Sequence, residues 1–393
     1  MSMRSAKFCP VCASPHVEVF FELPDVPVYC NHLWRSRETA RHCPRGDVKL
    51  AFCRACSFVF NVAFDPTRLE YSQAYENSLH FSPLFQDYAR ALAARLVERH
   101  NLRDKDIIEI GCGKGDFLLL LCERGGNRGV GFDPSYAGPP EHHQANYRAR
   151  FIQDFYSERY ADYHSDFICC RHTLEHIQTP KALLDTLRRA IGNRLSTILF
   201  FEVPNALHIF RRLAIWDIIY EHCSYFTAIS LRRAFSSCRF RVSSLAEEFA
   251  GQFLGIEALP AAGETEPAEE SPDEFKRLAD EVASFATNFQ NQVEQWRNKL
   301  EELRNRGQRL VVWGAGSKGV TFLNTLGIQE EIAYVVDINP RKQGMYVAGT
   351  GQQIVAPEFL RSYQPEIVIV MNPIYKNEIR QITNDLGLIP EFL

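Results

Sequence analysis

Residues 106–117 (DIIEIGCGKGDF) constrain the fold of this chain more than any other segment. An apolar run typical of a buried strand is followed by glycines at alternate positions and then by an apolar pattern with helical spacing. That order predicts a strand, a tight turn and a helix of a doubly wound α/β domain. Because such a turn leaves backbone N–H groups free at the start of the helix, it also predicts a ligand-binding site.

A second apolar run, residues 129–132, ends in Asp133, about 20 residues after the first glycine, a spacing typical of dinucleotide-binding folds. A carboxylate there can accept hydrogen bonds from both hydroxyls of a ribose. We therefore predict that Glu109, Gly111, Gly113 and Asp133 bind a cofactor. The same layout serves NAD enzymes, so the glycines alone do not identify that cofactor.

Two further details favour S-adenosylmethionine. The motif Glu-Ile-Gly-Cys-Gly-Lys-Gly is not a glycine triplet spaced for a pyrophosphate, and Asp154, followed by Phe155, offers an acid for an adenine amino group. Residues 166–177 then form a further predicted strand, whose end, with His172, turns back over the cofactor. This order resembles the class I methyltransferases. A Rossmann-like strand and turn without a ligand is the alternative.

The overall composition excludes several classes of protein. The 393 residues are 46% hydrophobic and 23% charged, enough to bury two or three cores, and the formal net charge is -4. A negative charge argues against binding driven by nucleic-acid phosphates. There is no run of 18 apolar residues and no apolar signal core at the start. We therefore expect a cytoplasmic protein that binds neither nucleic acid nor membrane.

The twelve cysteines of such a protein are expected to be thiols or metal ligands. Four of them form two CxxC pairs, Cys9 with Cys12 and Cys53 with Cys56. Each pair offers two thiolates to one tetrahedral ion, and two pairs close its coordination shell. We predict a structural zinc ion at this site. The alternatives are a redox dithiol and metal-free core cysteines.

Changes in composition divide the chain into four predicted parts. These are a zinc-binding module (1–70), an S-adenosylmethionine-dependent methyltransferase domain (71–260), an acidic linker with a long amphipathic helix (261–306) and a C-terminal Rossmann-like substrate-binding domain (307–393). The apolar face of the long helix fits either packing on its own chain or a dimeric coiled coil. The protein is accordingly expected to be a monomer or a homodimer.

The C-terminal part repeats the pattern of strand and glycine turn. Residues 310–319 (LVVWGAGSKG) are followed by Asp337 at the end of another apolar run, so this part alone meets the dinucleotide fingerprint. An NAD-binding, oxidoreductase-like domain is therefore one interpretation. Recognition of the phosphates of a substrate is another, and an α/β domain used only for packing is a third.

The order of zinc module, methyltransferase core and short glycine-turn domain resembles the three-domain C-methyltransferase family. Residues 221–227 (EHCSYFT), the CxxC pairs and the C-terminal turn carry this resemblance. The resemblance implies methylation of carbon 3 of a nucleotide-linked keto-deoxysugar, or of a similar small molecule, with His222 as the base. Ile219 stands where those enzymes have a tyrosine, and Tyr220 directly precedes Glu221 instead. The identity of the acceptor therefore stays open.

Carbon methylation next to a carbonyl requires a base, and a histidine with a pKa near neutrality suits that task. Glu221 or a neighbouring tyrosine such as Tyr220 can orient the ring of His222 or stabilise the enolate. Tyr75 and His176 are further catalytic candidates. His222 can instead cap the helix that follows it. O- or N-methylation of another metabolite, methylation of protein or nucleic acid, and an inactive binding scaffold are the alternative functions.

Overall fold

The structure is a computed structural model that describes residues 8–70, 72–143, 147–263, 265 and 272–393. Residues 264 and 266–271 of the predicted acidic linker lie outside these ranges, as do residues 1–7 of the predicted zinc module. Among the described residues, no helix combines the length and the apolar character needed to cross a lipid bilayer.

The strands follow one another along the chain as follows: β1 (Val17–Pro27), β2 (Arg45–Cys53), β3 (Val59–Asn61), β4 (Asp106–Ile110), β5 (Arg128–Phe132), β6 (Glu141–His143), β7 (Arg148–Ile152), β8 (Phe167–Arg171), β9 (Ile198–Pro204), β10 (Ser224–Tyr225), β11 (Phe240–Glu248), β12 (Phe253–Pro260), β13 (Leu310–Trp313), β14 (Tyr334–Val336), β15 (Gln353–Val355), β16 (Ile367–Val370) and β17 (Glu391–Phe392).

The α-helices between them are α1 (Arg37–Arg41), α2 (Pro83–Arg99), α3 (Asp116–Gly125), α4 (Pro180–Ile191), α5 (Ala206–Arg212), α6 (Ala228–Ser236), α7 (Pro272–Asn305), α8 (Ser317–Leu326), α9 (Leu360–Tyr363) and α10 (Lys376–Asp385). Short 3-10 turns at Leu174–His176 and Ile215–Asp217 also matter for the site described below.

The central sheet has the strand order β11-β12-β9-β8-β4-β5-β7-β6. Strands β7, β5, β4, β8 and β9 run parallel, whereas β12 is antiparallel to β9 and to β11. Chain order reverses between β4 and β8, because β5 lies on one side of β4 and β8 on the other. Ligands of doubly wound sheets bind at such a switch point, outside the carboxyl ends of the strands.

Two smaller sheets flank this core. The N-terminal sheet has the order β1-β2-β3-β10, so β10 joins the segment after His222 to the cysteine-bearing module. The C-terminal sheet is parallel, has the order β15-β14-β13-β16-β17, and has its own switch point between β13 and β16. In both α/β sheets, a glycine turn thus follows a strand in the middle of the sheet, β4 in the central sheet and β13 in the C-terminal one.

Helix α7 packs its apolar face against its own chain. The ring centre of Phe289 lies 4.6 Å from that of Phe21 on β1, and the ring centre of Phe285 lies 5.2 Å from that of Phe210 on α5. The rings of Trp296 and Phe322 on α8 pack edge to face, with their centres 5.2 Å apart. Burial of each phenylalanine contributes about 1.5–3 kcal/mol. The helix therefore ties the N-terminal sheet, the central domain and the C-terminal domain into one apolar cluster.

Candidate functional site

A cavity of about 530 Å³ opens where the central and C-terminal domains meet. The glycine turn after β4 lines one side of it, and the glycine turn after β13 lines another. The loop at residues 77–82 and the turn at Leu174–His176 complete much of the wall. Both predicted ligand-binding turns therefore face a single space.

The turn after β4 is held by Asp133. Its Oδ2 accepts a hydrogen bond from the Gly113 N–H at 2.8 Å, and its Oδ1 accepts from the backbone and side chain of Ser135 at 2.7 and 2.6 Å. Gly111 has φ +69°, and a Cβ at this position would lie 1.9 Å from Oγ1 of Thr173. The turn therefore needs glycine here both for its backbone conformation and for lack of space.

Glu109, on β4, lies beneath this turn and lines the cavity. Burial raises the pKa of its carboxyl group to about 8, although Arg171 and the backbone N–H of Leu118 oppose the shift. Oε2 of Glu109 has no hydrogen-bond partner within the described part of the chain. A buried oxygen without a hydrogen-bond partner beside a glycine turn is a place where a bound ligand can supply the missing hydrogen bond.

Asp154, Phe155 and His172, the other residues of the predicted cofactor site, also line the cavity. Asp154 accepts a hydrogen bond from the Tyr160 hydroxyl at 2.5 Å and forms an ion pair with Arg159. The ring of Phe155 is 62% exposed, which is unusual for a phenylalanine. The predicted adenine-binding acid thus already has partners in its own loop.

His172 belongs to a buried charge cluster that the sequence analysis does not single out. Arg171 donates two hydrogen bonds to Glu202, at 3.0 and 2.8 Å, and its guanidinium lies 4.1 Å from the ring centre of Phe117. The Tyr88 hydroxyl also donates to Glu202, and His172 Nε2 lies 2.9 Å from it without hydrogen-bond alignment. Burial opposes ionisation of Glu202, but Arg171 and His172 hold its pKa at about 2.

His222 lines the cavity from the loop before β10, half-buried. Burial lowers its pKa well below the ordinary value, and the neighbouring His176, His172 and Lys318 lower it further. The imidazole is therefore neutral near pH 7 and has a lone pair available. Helix α6 is capped by Thr227, whose side chain accepts from Ser230 N, so His222 does not cap it.

His176 packs against His222 in the cavity wall. The two ring centres are 4.9 Å apart and the planes are nearly perpendicular, at 84°. Burial lowers the pKa of His176 to about 4, while a hydrogen bond to the backbone carbonyl of Glu221 opposes this shift. Donation of one ring N–H to that carbonyl leaves the other nitrogen as an acceptor.

Glu221 does not line the cavity. Its carboxylate is fully buried, and it accepts hydrogen bonds from Cys30 N at 3.3 Å and from the side chain of Tyr75. Burial raises the pKa of Glu221 to about 7 against the effect of these donors and of Lys342. Tyr75 itself does line the cavity, so the carboxylate of Glu221 is linked to the site through Tyr75.

Tyr220 differs from its expected catalytic place. Its hydroxyl accepts from Asp65 N at 2.9 Å and donates to Asp65 O at 3.3 Å, and its ring packs against Phe64 and Gly46. The side chain is buried and is not among the residues that line the cavity. The chain turns at residues 220–221, so Tyr220 packs on the N-terminal module while His222 lines the cavity.

The turn after β13 repeats the arrangement around Asp337. Oδ2 of this aspartate accepts from Ala315 N at 2.9 Å, and Oδ1 accepts from Asn339 N at 2.8 Å. Lys318, the first basic residue of α8, forms an ion pair with Asp217 from the central domain. The C-terminal turn therefore meets the cavity with one of its cations already neutralised.

Buried polar residues join this turn to the N-terminal part of the chain. Lys342 donates to Asn31 Oδ1 at 3.1 Å and to the carbonyl of Ala315 at 3.2 Å. Asn339 donates to Glu76 at 3.1 Å, in the loop that also carries Tyr75. These contacts fix one wall of the cavity between two distant parts of the sequence.

Within the described part of the chain, two groups of side chains have the composition and spacing of metal ligands. The thiols of Cys9, Cys12, Cys53 and Cys56 lie within 4.8 Å of one another, with Cys9–Cys56 and Cys12–Cys53 sulfur distances of 3.5 and 3.6 Å. Ligand atoms of Glu175, His176 and His222 also lie within 4.8 Å of one another, inside the cavity.

Comparison with known proteins agrees with this geometry. Residues 82–245 match the family model of a methyltransferase domain, and residues 264–387 match that of a C-methyltransferase C-terminal domain. The C-methyltransferase NovU of Streptomyces niveus is 26% identical over 309 residues, which cover 74% of this chain and 72% of NovU. The family matches confirm the predicted methyltransferase core with S-adenosylmethionine as its cofactor.

Among solved structures, the magnesium protoporphyrin IX methyltransferase of Synechocystis, with bound S-adenosylhomocysteine, aligns with 45% of this chain and 83% of its own. That alignment has 16% identity and a TM-score of 0.33. The 1,6-didemethyltoxoflavin-N1-methyltransferase of Burkholderia thailandensis aligns with 46% of this chain and 81% of its own, with 17% identity and a TM-score of 0.35.

Proposed function

We propose that this chain, which belongs to the C-methyltransferase family with a class I S-adenosylmethionine-dependent fold, methylates the carbon next to the carbonyl of a nucleotide-linked keto-sugar or a similar small molecule. One observation carries the proposal. The cofactor turn, a neutral histidine and a second glycine turn all face one cavity of about 530 Å³. A space of this size fits a cofactor and an acceptor side by side.

Glu109, Gly111, Gly113 and Asp133 would hold the cofactor. The open Oε2 of Glu109 supports this assignment, as does the Gly111 position, where any side chain would collide with Thr173. Oδ1 of Asp133 already accepts two hydrogen bonds and Oδ2 accepts one, so Oδ2 keeps a lone pair for a ribose hydroxyl. Asp154, Phe155 and His172 would complete this side. When bound, S-adenosylmethionine supplies a methyl group on a positively charged sulfur.

His222 is our candidate for the general base. Its lowered pKa keeps the imidazole unprotonated, so it can take a proton from the carbon next to a carbonyl. His176 faces it, and its own tautomer is fixed by the Glu221 carbonyl. Tyr75, held by Glu221, also lines the cavity and is our candidate for contacting the acceptor. Because Tyr220 lies outside the cavity, we assign it no part in the reaction.

The C-terminal turn is our candidate for binding the nucleotide part of the acceptor. The start of α8 and the carboxylate of Asp337 offer N–H groups for phosphate and acceptors for ribose hydroxyls. The same features support a second candidate, NAD binding by this domain, because they meet the dinucleotide layout. O- or N-methylation of another metabolite is a further alternative for the whole protein.

For the N-terminal module we propose a structural zinc ion held by Cys9, Cys12, Cys53 and Cys56. A tetrahedral ion with Zn–S bonds of about 2.3 Å requires sulfur–sulfur distances of about 3.8 Å, close to the distances in this cluster. We also retain the division into a zinc module (1–70), a methyltransferase domain (71–260), a linker with a long helix (261–306) and a substrate-binding domain (307–393).

The test is to supply S-adenosylmethionine and a nucleoside diphosphate-linked keto-deoxysugar whose carbonyl adjoins carbon 3. We expect the new methyl group on that carbon, which NMR of the product identifies. With S-adenosylhomocysteine in place of the methyl donor, the neighbouring proton should exchange with deuterium, and His222→Asn should abolish that exchange. A methyl group on oxygen or nitrogen would contradict carbon methylation, and tight NAD binding would favour the second candidate.

A further inference from the structure

We propose that Glu175 donates a hydrogen bond to the carbonyl oxygen of the acceptor and thereby stabilises the enolate formed when His222 removes the neighbouring proton. The inference rests on the proposed function and adds a residue to it. Neither the glycine motifs nor the resemblance to the C-methyltransferases assigns a role to this glutamate. Its placement in the cavity is what suggests one.

Glu175 is tied to the segment that carries His222. It lies in the 3-10 turn after β8, and its backbone carbonyl accepts a hydrogen bond from the Cys223 thiol at 3.5 Å. Two residues later, the carbonyl of Ile177 accepts from the Ser224 hydroxyl at 2.9 Å. Glu175 and His222 therefore lie on two segments that are hydrogen-bonded to each other beside these two residues.

The side chain of Glu175 lines the cavity, where one carboxyl oxygen accepts from its own backbone N–H and the other has no partner among the described residues. The residue is only 2% exposed, and the oxygen without a partner is Oε2. No cation forms an ion pair with it in the part of the chain that the structure describes. An unpaired buried carboxyl group is costly as an anion, so it takes up a proton.

The protonated form is the one that can donate. Burial raises the pKa of Glu175 to about 8 against a hydrogen bond from its own backbone N–H, and the nearby Glu202 carboxylate adds to the increase. Below that pH the group is a carboxylic acid with one O–H donor. A neutral acid in an apolar pocket is an effective donor to an oxyanion because its hydrogen bond strengthens as negative charge develops.

The distances suit a shared substrate. A carboxylate oxygen of Glu175 and a ring nitrogen of His222 lie within 4.8 Å of each other, a gap that one C–H bond and the adjoining carbonyl can span. His222 takes the proton, the C–H electron pair forms a C=C bond, and the carbonyl pair moves onto the oxygen facing Glu175. The enolate carbon then forms a bond to the methyl group, the carbon–sulfur pair stays on sulfur, and the oxygen becomes a carbonyl again.

A divalent cation is the competing occupant of this group, since Glu175, His176 and His222 also have the composition of a metal site. A cation there would coordinate the lone pair that His222 needs as a base, and it would require an ionised Glu175. Glu175→Gln, which is uncharged and keeps an N–H donor, therefore distinguishes the two interpretations. It should largely preserve the reaction if Glu175 is a hydrogen-bond donor and impair it if Glu175 is a metal ligand.

The experiment measures deuterium exchange next to the ketone of a nucleoside diphosphate-linked keto-deoxysugar, with S-adenosylhomocysteine bound. We expect Glu175→Leu to slow exchange by about 10²–10³-fold, the usual cost of one oxyanion donor. Glu175→Gln keeps an N–H donor of similar shape and should lose less than tenfold. Cofactor affinity by calorimetry and the thermal midpoint serve as controls that both variants fold.

Several outcomes would overturn the inference. Exchange at the normal rate in Glu175→Leu would remove Glu175 from the reaction while leaving His222 in place. An equal loss in both variants, together with one divalent ion beyond the cysteine-bound zinc in the unaltered protein, would identify a metal ligand instead. Absence of exchange in the unaltered protein would contradict the proposed function itself, and the inference with it.

The pH profile supplies a measurement that a purely structural role would not change. Ionisation of Glu175 should remove activity as the pH rises through about 8, and this alkaline limb should be absent in Glu175→Gln. The titratable groups that face Glu175 are Glu202, His176, His222, Cys170 and Cys223. An alkaline limb that persists unchanged in the glutamine variant would contradict the assignment.

Discussion

The turn after β4 and the turn after β13 arrange the same hydrogen bonds around an aspartate, yet they meet the cavity differently. Asp133 and Asp337 each accept one hydrogen bond from a backbone N–H of the glycine turn. Each also accepts one from the backbone N–H of the residue two positions after the aspartate itself. The first turn leaves the buried acceptor of Glu109 open, whereas the lysine of the second is paired with Asp217. Two turns with the same local hydrogen bonds therefore need not bind the same ligand, because residues outside the turn determine which of its charged and polar groups stay unpaired.

Removal of zinc is expected to have the largest effect and to separate the two turns. Strand β2, which ends at Cys53, contributes to an apolar cluster shared with the C-terminal domain, and Asn31 contacts Lys342 behind the second turn. Cys53→Ser should therefore lose the ion, lower the thermal midpoint and impair acceptor turnover more than cofactor affinity. Elemental analysis and calorimetry measure these effects. A variant without zinc that keeps its thermal midpoint would contradict a structural role for the metal.

Asp133→Ala should weaken S-adenosylmethionine binding strongly. It removes the acceptor for a ribose hydroxyl, at about 1–3 kcal/mol, and also the acceptor that holds the Gly113 N–H, so calorimetry should show a loss of affinity of about tenfold or more. Asp337→Ala is the matched control, since it removes the corresponding carboxylate from the other turn. It should change cofactor affinity by less than twofold and raise the acceptor KM. Similar effects of both variants on cofactor affinity would mean that the turns do not differ in ligand.

A side chain at Gly319 should disturb only the second turn. A Cβ there would lie 2.0 Å from the backbone oxygen of Gly314, which cannot move without opening the turn. Overpacking of this kind costs about 1–3 kcal/mol of unfolding free energy. Gly319→Ala should therefore reduce stability in denaturant titrations while cofactor affinity stays within threefold. Gly111→Ala is the counterpart, and cofactor binding should be what it loses.

The smallest effect is expected at Lys318. Its ammonium group is paired with Asp217, and a partly exposed pair of this kind contributes about 0–1 kcal/mol to stability. If the group also approaches a phosphate, Lys318→Met should raise the acceptor KM by about tenfold and lower kcat by less than threefold. Asp217→Asn keeps the lysine and should lower that KM. Steady-state kinetics showing the reverse pattern would place Lys318 outside acceptor binding.

The sequence predicted the cofactor turn from local signals. Glycines at alternate positions after an apolar strand dictate a left-handed backbone, and the spacing to Asp133 follows from the parallel pairing of β4 with β5. Tyr220 shows where such reasoning ends. A motif places it beside His222, but its hydroxyl bonds to residue 65, and no local pattern contains a contact across 155 residues.

Glu175 and the Arg171–Glu202 pair show the same limit for charge. An acid in a sequence has no pKa until its surroundings are known. Glu202, next to a guanidinium, has a pKa of about 2, whereas Glu175, without a cation, has a pKa of about 8. Both carboxyl groups are buried, so burial alone does not distinguish them. The Arg171 cation and the donors beside Glu202 distinguish them.

By itself, the sequence determined the two strand–glycine–helix units, the pairs of cysteines and the long amphipathic helix, because spacing along the chain encodes backbone conformation and apolar faces directly. Only the tertiary structure decided that both turns open into one cavity, that Lys318 meets Asp217 there, and that Glu175 faces His222. Those relations depend on packing between segments far apart in the chain, and packing sets the local dielectric and the nearest charge for each group.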